Sequence, residues 1–187
     1  MGDETTDAIF DALEARGSGV EWIARRLRIE HGDGVVRDLI PRAKQLGVVI
    51  VQNPSHFTWP EMMRARLGPH MQPLRSLLDA GIPVALGSDG PLNPFLNLMF
   101  ATLHPYAPTQ AITREEAVRA YTHGSAFAEF AEHDKRSLGA GKLADLTVLS
   151  QHIFTVAPQE VPQTHSVLTI VGGEIVHEVT FAPKIGP

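Results

Sequence analysis

Two unbroken apolar runs constrain the fold of this 187-residue chain more than any other feature. They are Val48–Val51, which reads VVIV, and Ile82–Leu86, which reads IPVAL. A strand that is apolar at every position is buried on both faces, and this is typical of parallel sheets. Segments with helical spacing separate the runs. The alternation of helix and strand therefore predicts a parallel α/β sheet.

Helical signals surround the two runs, and a further short strand is expected to end at residues 28–31. The signals are apolar spacing near 3.6 residues, N-cap residues and glycine stops. The predicted helices are 3–16, one through Val36–Leu46, one from Leu74 that stops at Gly81, one from Asn93–Pro94 to Phe100, and one opened by the Thr113–Glu116 capping box.

The pattern changes after residue 137. Residues 145–150 alternate like a strand, and residues 167–171 and 174–177 are joined by Gly172–Gly173, a two-residue hairpin signal. We therefore predict an α/β body at residues 1–137 and a small β segment at residues 138–187.

Composition excludes several classes of protein. The chain has no cysteine, so disulfides, cysteine-ligated zinc and iron–sulfur clusters are excluded. The net charge of −5 argues against nucleic acid as a partner. No apolar stretch reaches the roughly 18 residues of a membrane span, and the N-terminal MGDETTD is acidic where a signal peptide would be basic. We expect a cytoplasmic protein with no membrane partner.

Polar side chains follow the predicted strands where α/β folds place their active residues. His31 ends the first strand, Asn53–His56 follows the second, and Asp89 ends the third. Imidazole and carboxylate groups bind divalent metals, and a carboxylate near such a metal can take a proton from water at neutral pH. His31 and Asp89 are therefore candidates for metal-assisted hydrolysis.

Each candidate also has a structural interpretation. A histidine at a strand end is commonly a hydrogen-bonded structural residue, and Asp89 in Gly-Ser-Asp-Gly-Pro suits a turn. His56 is interpreted first as a loop histidine, with contact to a substrate as the alternative.

At these residues the sequence resembles the amidohydrolase superfamily, and within it the amidohydrolase 3 (YtcJ-like) group. Four stretches carry the resemblance in the order of the family, and the segment TREEAVRAYTHGSA at 113–126 fits the helix after the last barrel strand. The four stretches are 28–31 (RIEH), 51–57 (VQNPSHF), 81–91 (GIPVALGSDGP) and 141–149 (GKLADLTVL).

The resemblance implies a metal-dependent (β/α)8 barrel with a small β-sandwich, acting on amide C–N bonds of small molecules. His31 would be the metal ligand at the end of the sixth barrel strand. Asp89 would end the eighth strand, contact the metal and accept the proton of the attacking water. Asn53, His56 and Ser88 would face the substrate. The expected cofactor is a divalent metal, with zinc as the first choice.

The sequence also departs from the family. The His-x-His pair of the first strand, the lysine or glutamate of the middle barrel and the histidine of the fifth strand have no counterpart here. Only about three strands are predicted, against the eight of a closed barrel. We therefore expect the C-terminal portion of the fold, weak metal binding and little activity by this chain alone.

Two other interpretations stay open at this point. The chain could be a non-catalytic remnant or subunit that pairs with a second copy or with a separate N-terminal half, because an open parallel sheet has bare edges. It could also be a flavodoxin-like module, although no strand is followed by a phosphate-binding loop.

Overall fold

A three-stranded parallel sheet forms the centre of the α/β body. The structure is a computed structural model that describes residues 3–67 and 71–179. The strands are β1 (Arg28–Ile29), β2 (Val49–Gln52) and β3 (Val84–Leu86), in the order β1-β2-β3. Every residue of β2 and β3 is buried, so the prediction of a doubly covered parallel sheet is confirmed.

Helices connect and cover the strands. Their bounds are α1 (Asp3–Glu14), α2 (Gly19–Arg25), α3 (Ile40–Leu46), α4 (Pro60–Leu67), α5 (Leu74–Asp79), α6 (Pro94–Leu103), α7 (Arg114–Arg119) and α8 (Ser125–Ala128), with a π turn at Ala120–Gly124 between the last two. Asn93 caps α6 and Thr113–Glu116 caps α7, as the sequence predicted. No helix in the described ranges is long and apolar enough to cross a membrane.

The region before β1 differs from the prediction. Residues expected only to lead into a strand form α2, whose start is capped because the Ser18 backbone N–H donates to Glu21 Oε2 at 2.8 Å. The strand expected to reach His31 ends at Ile29. His31 has a φ of 53°, in the left-handed region, and this conformation turns the chain out of the sheet.

A small antiparallel sheet follows the body, in the order β4-β5-β6. Its strands are β4 (Leu146–Leu149), β5 (Ser166–Val171) and β6 (Glu174–Glu178), and the predicted hairpin joins the last two. The segment that carries this sheet packs on the body, because Ile153 and Val161 belong to the same buried cluster as Leu98 of α6. The division at residues 137 and 138 stays a prediction.

His104, just after α6, should make stability depend on pH. It is fully buried, its Nε2–H donates to the Gln72 carbonyl at 3.0 Å, and its Nδ1 accepts the Ala107 N–H at 3.0 Å. These partners suit the neutral ring, and burial lowers the pKa of His104 despite the opposing backbone hydrogen bonds.

The unfolded chain therefore takes up a proton at a higher pH than folded His104 does. We expect His104 to contribute a loss of stability as pH falls below its unfolded pKa of about 6.5, by at most about 1.4 kcal/mol per pH unit. Urea denaturation between pH 7.5 and 5.5 checks this, since His104→Gln should remove that part of the slope. Parallel slopes for both proteins would contradict it.

Candidate functional site

Three loops bring the candidate residues to one edge of the parallel sheet. They leave the carboxyl ends of β1, β2 and β3, which lie side by side. His31 belongs to the first loop, Asn53 and His56 to the second, and Asp89 to the third. This edge is where α/β folds build their active sites.

The first loop places an aspartate beneath the second loop. After His31, Gly32–Gly34 forms a 3-10 turn, and this turn buries the side chain of Asp33. The turn is tied to β2 because Gln52 Nε2 donates to the Gly32 carbonyl at 2.8 Å. Asp33 Oδ1 also accepts the Asn53 backbone N–H at 3.3 Å.

The second and third loops are tied together and to α6. The second loop is a 3-10 turn at Pro54–Thr58. The Ser55 N–H donates to Asn97 Oδ1 of α6 at 2.7 Å, and the Ser55 hydroxyl donates to the Ser88 carbonyl at 2.6 Å. The Ser55–Ser88 bond fixes the spacing between the loop that carries His56 and the loop that carries Asp89.

Four side chains meet above the sheet edge. His56 Nδ1 lies 2.8 Å from Asp33 Oδ2, and its Nε2 lies 3.3 Å from Asp89 Oδ2. The same Asp89 oxygen is 3.6 Å from His31 Nδ1. His31 and His56 stack with ring centroids 5.6 Å apart. Asp89, like His31, has a φ of 53°.

The cluster has a buried half and an accessible half. The side chains of Asp33 and His56 are buried, whereas those of His31 and Asp89 are 42% and 53% exposed. Burial alone would lower the pKa of His56, but hydrogen bonds and charge from Asp33 and then Asp89 outweigh it, so the pKa of His56 is raised. The exposed side chains of His31 and Asp89 are therefore open to small molecules. The buried side chain of Asp33 contacts His56, which in turn contacts Asp89.

The predicted residues occupy different positions in this cluster. Asn53 is buried, with Nδ2 3.4 Å from His31 Nδ1. Ser88 contributes its backbone carbonyl rather than its hydroxyl to the described contacts. His56, interpreted first as a loop histidine, is buried between two carboxylates. The roles of all these residues stay predictions.

Sequence reasoning missed Asp33. The expected strand ended at His31, and no site residue was predicted between it and Asn53. The signal was the Gly-Asp-Gly sequence directly after the strand, since this composition favours a tight turn with an aspartate at its centre.

The donor set fits a divalent metal. His31, Asp33 and His56 each offer a ligand atom, and these atoms lie within 4.8 Å of one another. Asp89 adds a carboxylate oxygen beside both histidines. Two imidazoles with carboxylates are the nitrogen and oxygen ligands that zinc commonly takes when cysteine is absent.

Solved structures of metal-dependent hydrolases share this fold. An uncharacterized metal-dependent hydrolase from Pyrococcus furiosus matches with a TM-score of 0.63 and 30% identity, over 76% of this chain and 30% of that one. A variant of the atrazine chlorohydrolase TrzN from Arthrobacter aurescens TC1, solved with zinc and atraton, matches with a TM-score of 0.61 and 26% identity, over 84% and 37%. The predicted fold, part of a (β/α)8 barrel with a small β sheet, is confirmed.

Sequence comparison leads to the same group of proteins. The chain is 32% identical to the N-substituted formamide deformylase of Arthrobacter pascens, over 96% of this chain and 36% of that relative, so it spans about a third of the relative's length. The sequence profile described as "Amidohydrolase family" matches residues 1–177. The resemblance carried by the four stretches is thus confirmed, and the chain belongs to the amidohydrolase family.

Proposed function

We propose that this chain carries part of the active site of a metal-dependent hydrolase that cleaves amide C–N bonds in small molecules. In this proposal residues 1–137 form the barrel portion and residues 138–187 the sandwich portion. The observation that carries it is the approach of Asp89 Oδ2 to within 3.6 Å of His31 Nδ1 at the carboxyl edge of the sheet. An accessible carboxylate beside an accessible imidazole suits hydrolysis at that edge.

His31 and Asp89 would hold the metal, for which zinc is the first candidate. When bound, a divalent cation polarises the substrate carbonyl and makes the attacking water more acidic. Asp89 accepts the proton of that water and then delivers it to the leaving nitrogen as the C–N bond breaks. The net change is amide plus water to carboxylic acid plus amine.

The surrounding residues position these groups. The Ser55 bond to the Ser88 carbonyl holds the third loop against the second, and so sets the height of Asp89 above the sheet. Asn53 is buried beside His31, and its amide would meet a substrate only where that substrate contacts the His31 ring. Ser88 and His56 form the wall of the substrate pocket next to Asp89.

We expect the pure chain, even with added zinc, to hydrolyse N-substituted formamides and other simple amides no faster than buffer. The family's site also draws on a first-strand histidine pair and on middle-barrel residues that have no counterpart here, so this chain supplies only part of the groups that surround a substrate. A chimera supplies the missing part: this chain replaces the matched segment of the Arthrobacter pascens deformylase. We expect the chimera to hydrolyse one or more amides of that panel.

The deformylase with its own segment is the control for expression and assay. A folded, zinc-loaded chimera without activity on any amide would contradict the proposed function. Turnover by the isolated chain would contradict the expectation of little activity alone. In that case the catalytic groups within these 187 residues would be sufficient.

A further inference from the structure

The resemblance and the proposed function leave His56 without a role at the metal. Its ring nevertheless points Nε2 at the Asp89 oxygen that also faces His31. Among the described residues Asp89 is the hydrogen-bond partner of this nitrogen, at 3.3 Å. Two imidazole nitrogens from different loops therefore converge on one carboxylate oxygen.

The spacing of these donor atoms suits a common cation. The Asp89 oxygen lies 3.3 Å from His56 Nε2 and 3.6 Å from His31 Nδ1. Ligand atoms of a tetrahedral zinc site are about 3.4 Å apart, because the metal–ligand bonds are about 2.1 Å long.

Asp33 holds His56 in the orientation that this arrangement needs. Its Oδ2 is 2.8 Å from His56 Nδ1, so that nitrogen donates to Asp33 and Nε2 remains available. Its Oδ1 is already engaged by the Asn53 N–H, and the side chain is buried. A carboxylate on the far nitrogen of a histidine is the usual partner of a metal-bound histidine.

The other contact to His31 is compatible with a cation. Asn53 Nδ2 lies 3.4 Å from His31 Nδ1, which is long for a hydrogen bond.

We propose that His56 is a third protein ligand, so that His31, His56 and Asp89 bind one divalent cation within this chain, with Asp33 as the residue that positions His56. The inference rests on the proposed function for the roles of His31 and Asp89. It adds a ligand from the loop after β2, and it gives the chain three ligands without any contribution from another segment.

The test is a titration of the full, untagged chain with Co²⁺ alone after chelator treatment, followed by displacement with Zn²⁺. We expect one Co²⁺ per chain, with the intense visible absorption of a low-coordinate site. His56→Asn should weaken Co²⁺ binding at least tenfold and remove that absorption. Asp33→Asn should weaken binding about 10- to 100-fold, as loss of such positioning carboxylates usually does.

His133→Asn is the matched control, since its imidazole is 86% exposed and lies outside the cluster. It should bind Co²⁺ like the original chain. Circular dichroism and thermal melting establish that each variant is folded. If His56→Asn does not fold, ¹H–¹⁵N spectra of the imidazole rings during Zn²⁺ titration of the original chain give the answer, because His56 Nε2 should shift on binding and His133 should not.

The outcomes separate this inference from the proposed function. Unchanged Co²⁺ affinity and absorption in His56→Asn would overturn the third ligand, and so would an unshifted His56 Nε2 signal. Failure of the original chain to bind Co²⁺ would also overturn it. In each case the proposed function still stands or fails on amide hydrolysis by the chimera, which does not require His56 to touch the metal.

Discussion

Replacing Asp89 by asparagine in the chimera is expected to lower kcat for amide hydrolysis by about 10²- to 10⁴-fold, the usual contribution of a positioned proton acceptor. The amide of asparagine has nearly the same shape as the carboxylate but cannot take a proton from water. Asparagine also tolerates the left-handed conformation that Asp89 adopts at a φ of 53°. The backbone of the third loop should therefore stay in place.

The measurement is steady-state kinetics at saturating zinc, with the metal content of each protein determined by plasma mass spectrometry. Asp79→Asn is the control, because Asp79 is an exposed aspartate on α5, outside the site, that pairs with Arg75. Activity of Asp89→Asn within tenfold of the parent would contradict the role of Asp89. A loss of activity with the metal retained would separate proton transfer from metal binding.

Gly124→Ala is expected to destabilise the isolated chain by about 3 kcal/mol, at the upper end of the range for an overpacked core. Gly124 ends the π turn before α8, where the chain crosses β3. A Cβ atom there would overlap the backbone carbonyl oxygen of Val84 and crowd the Cα of Ala85. Backbone atoms of β3, every residue of which is buried, cannot move aside as a flexible side chain can.

Urea denaturation of the two proteins measures this difference in the free energy of unfolding. The control is Gly139→Ala, since a Cβ at Gly139 would meet only Lys142 Cγ, at an ordinary 3.8 Å. That variant should be neutral or more stable by up to about 1 kcal/mol, because alanine restricts the unfolded chain. Equal stability of both variants would show that β3 can shift, contrary to the prediction.

The strands could be predicted because a strand that is buried on both faces is apolar at every position. Val49–Val51 and Val84–Leu86 are apolar throughout, and the structure buries them completely. The helix Gly19–Arg25 was harder to predict, because it is short and no residue in it is buried, not even the apolar Val20 and Ile23. Its one clear signal was Ser18 followed three residues later by Glu21, a capping box.

The candidate site could be predicted only in outline. Strand ends point to His31 and Asp89, since parallel strands bring their carboxyl ends to one edge. The support from Asp33 and His56 depends on two short 3-10 turns and on a left-handed residue between β1 and the first turn. Such turns bring residues 23 positions apart into contact. The spacing of apolar residues along the chain does not predict a contact of this kind.

The order of the site residues along the chain has an evolutionary consequence. His31, Asp33, His56 and Asp89 come from three consecutive loops, and the strands that carry them pair with their neighbours in sequence. One contiguous stretch of the chain thus specifies these four side chains, their spacing and their supporting bonds together. Recombination that moves the stretch as a unit would transfer these four side chains with their contacts intact, whereas a crossover within it would separate His56 from its partners.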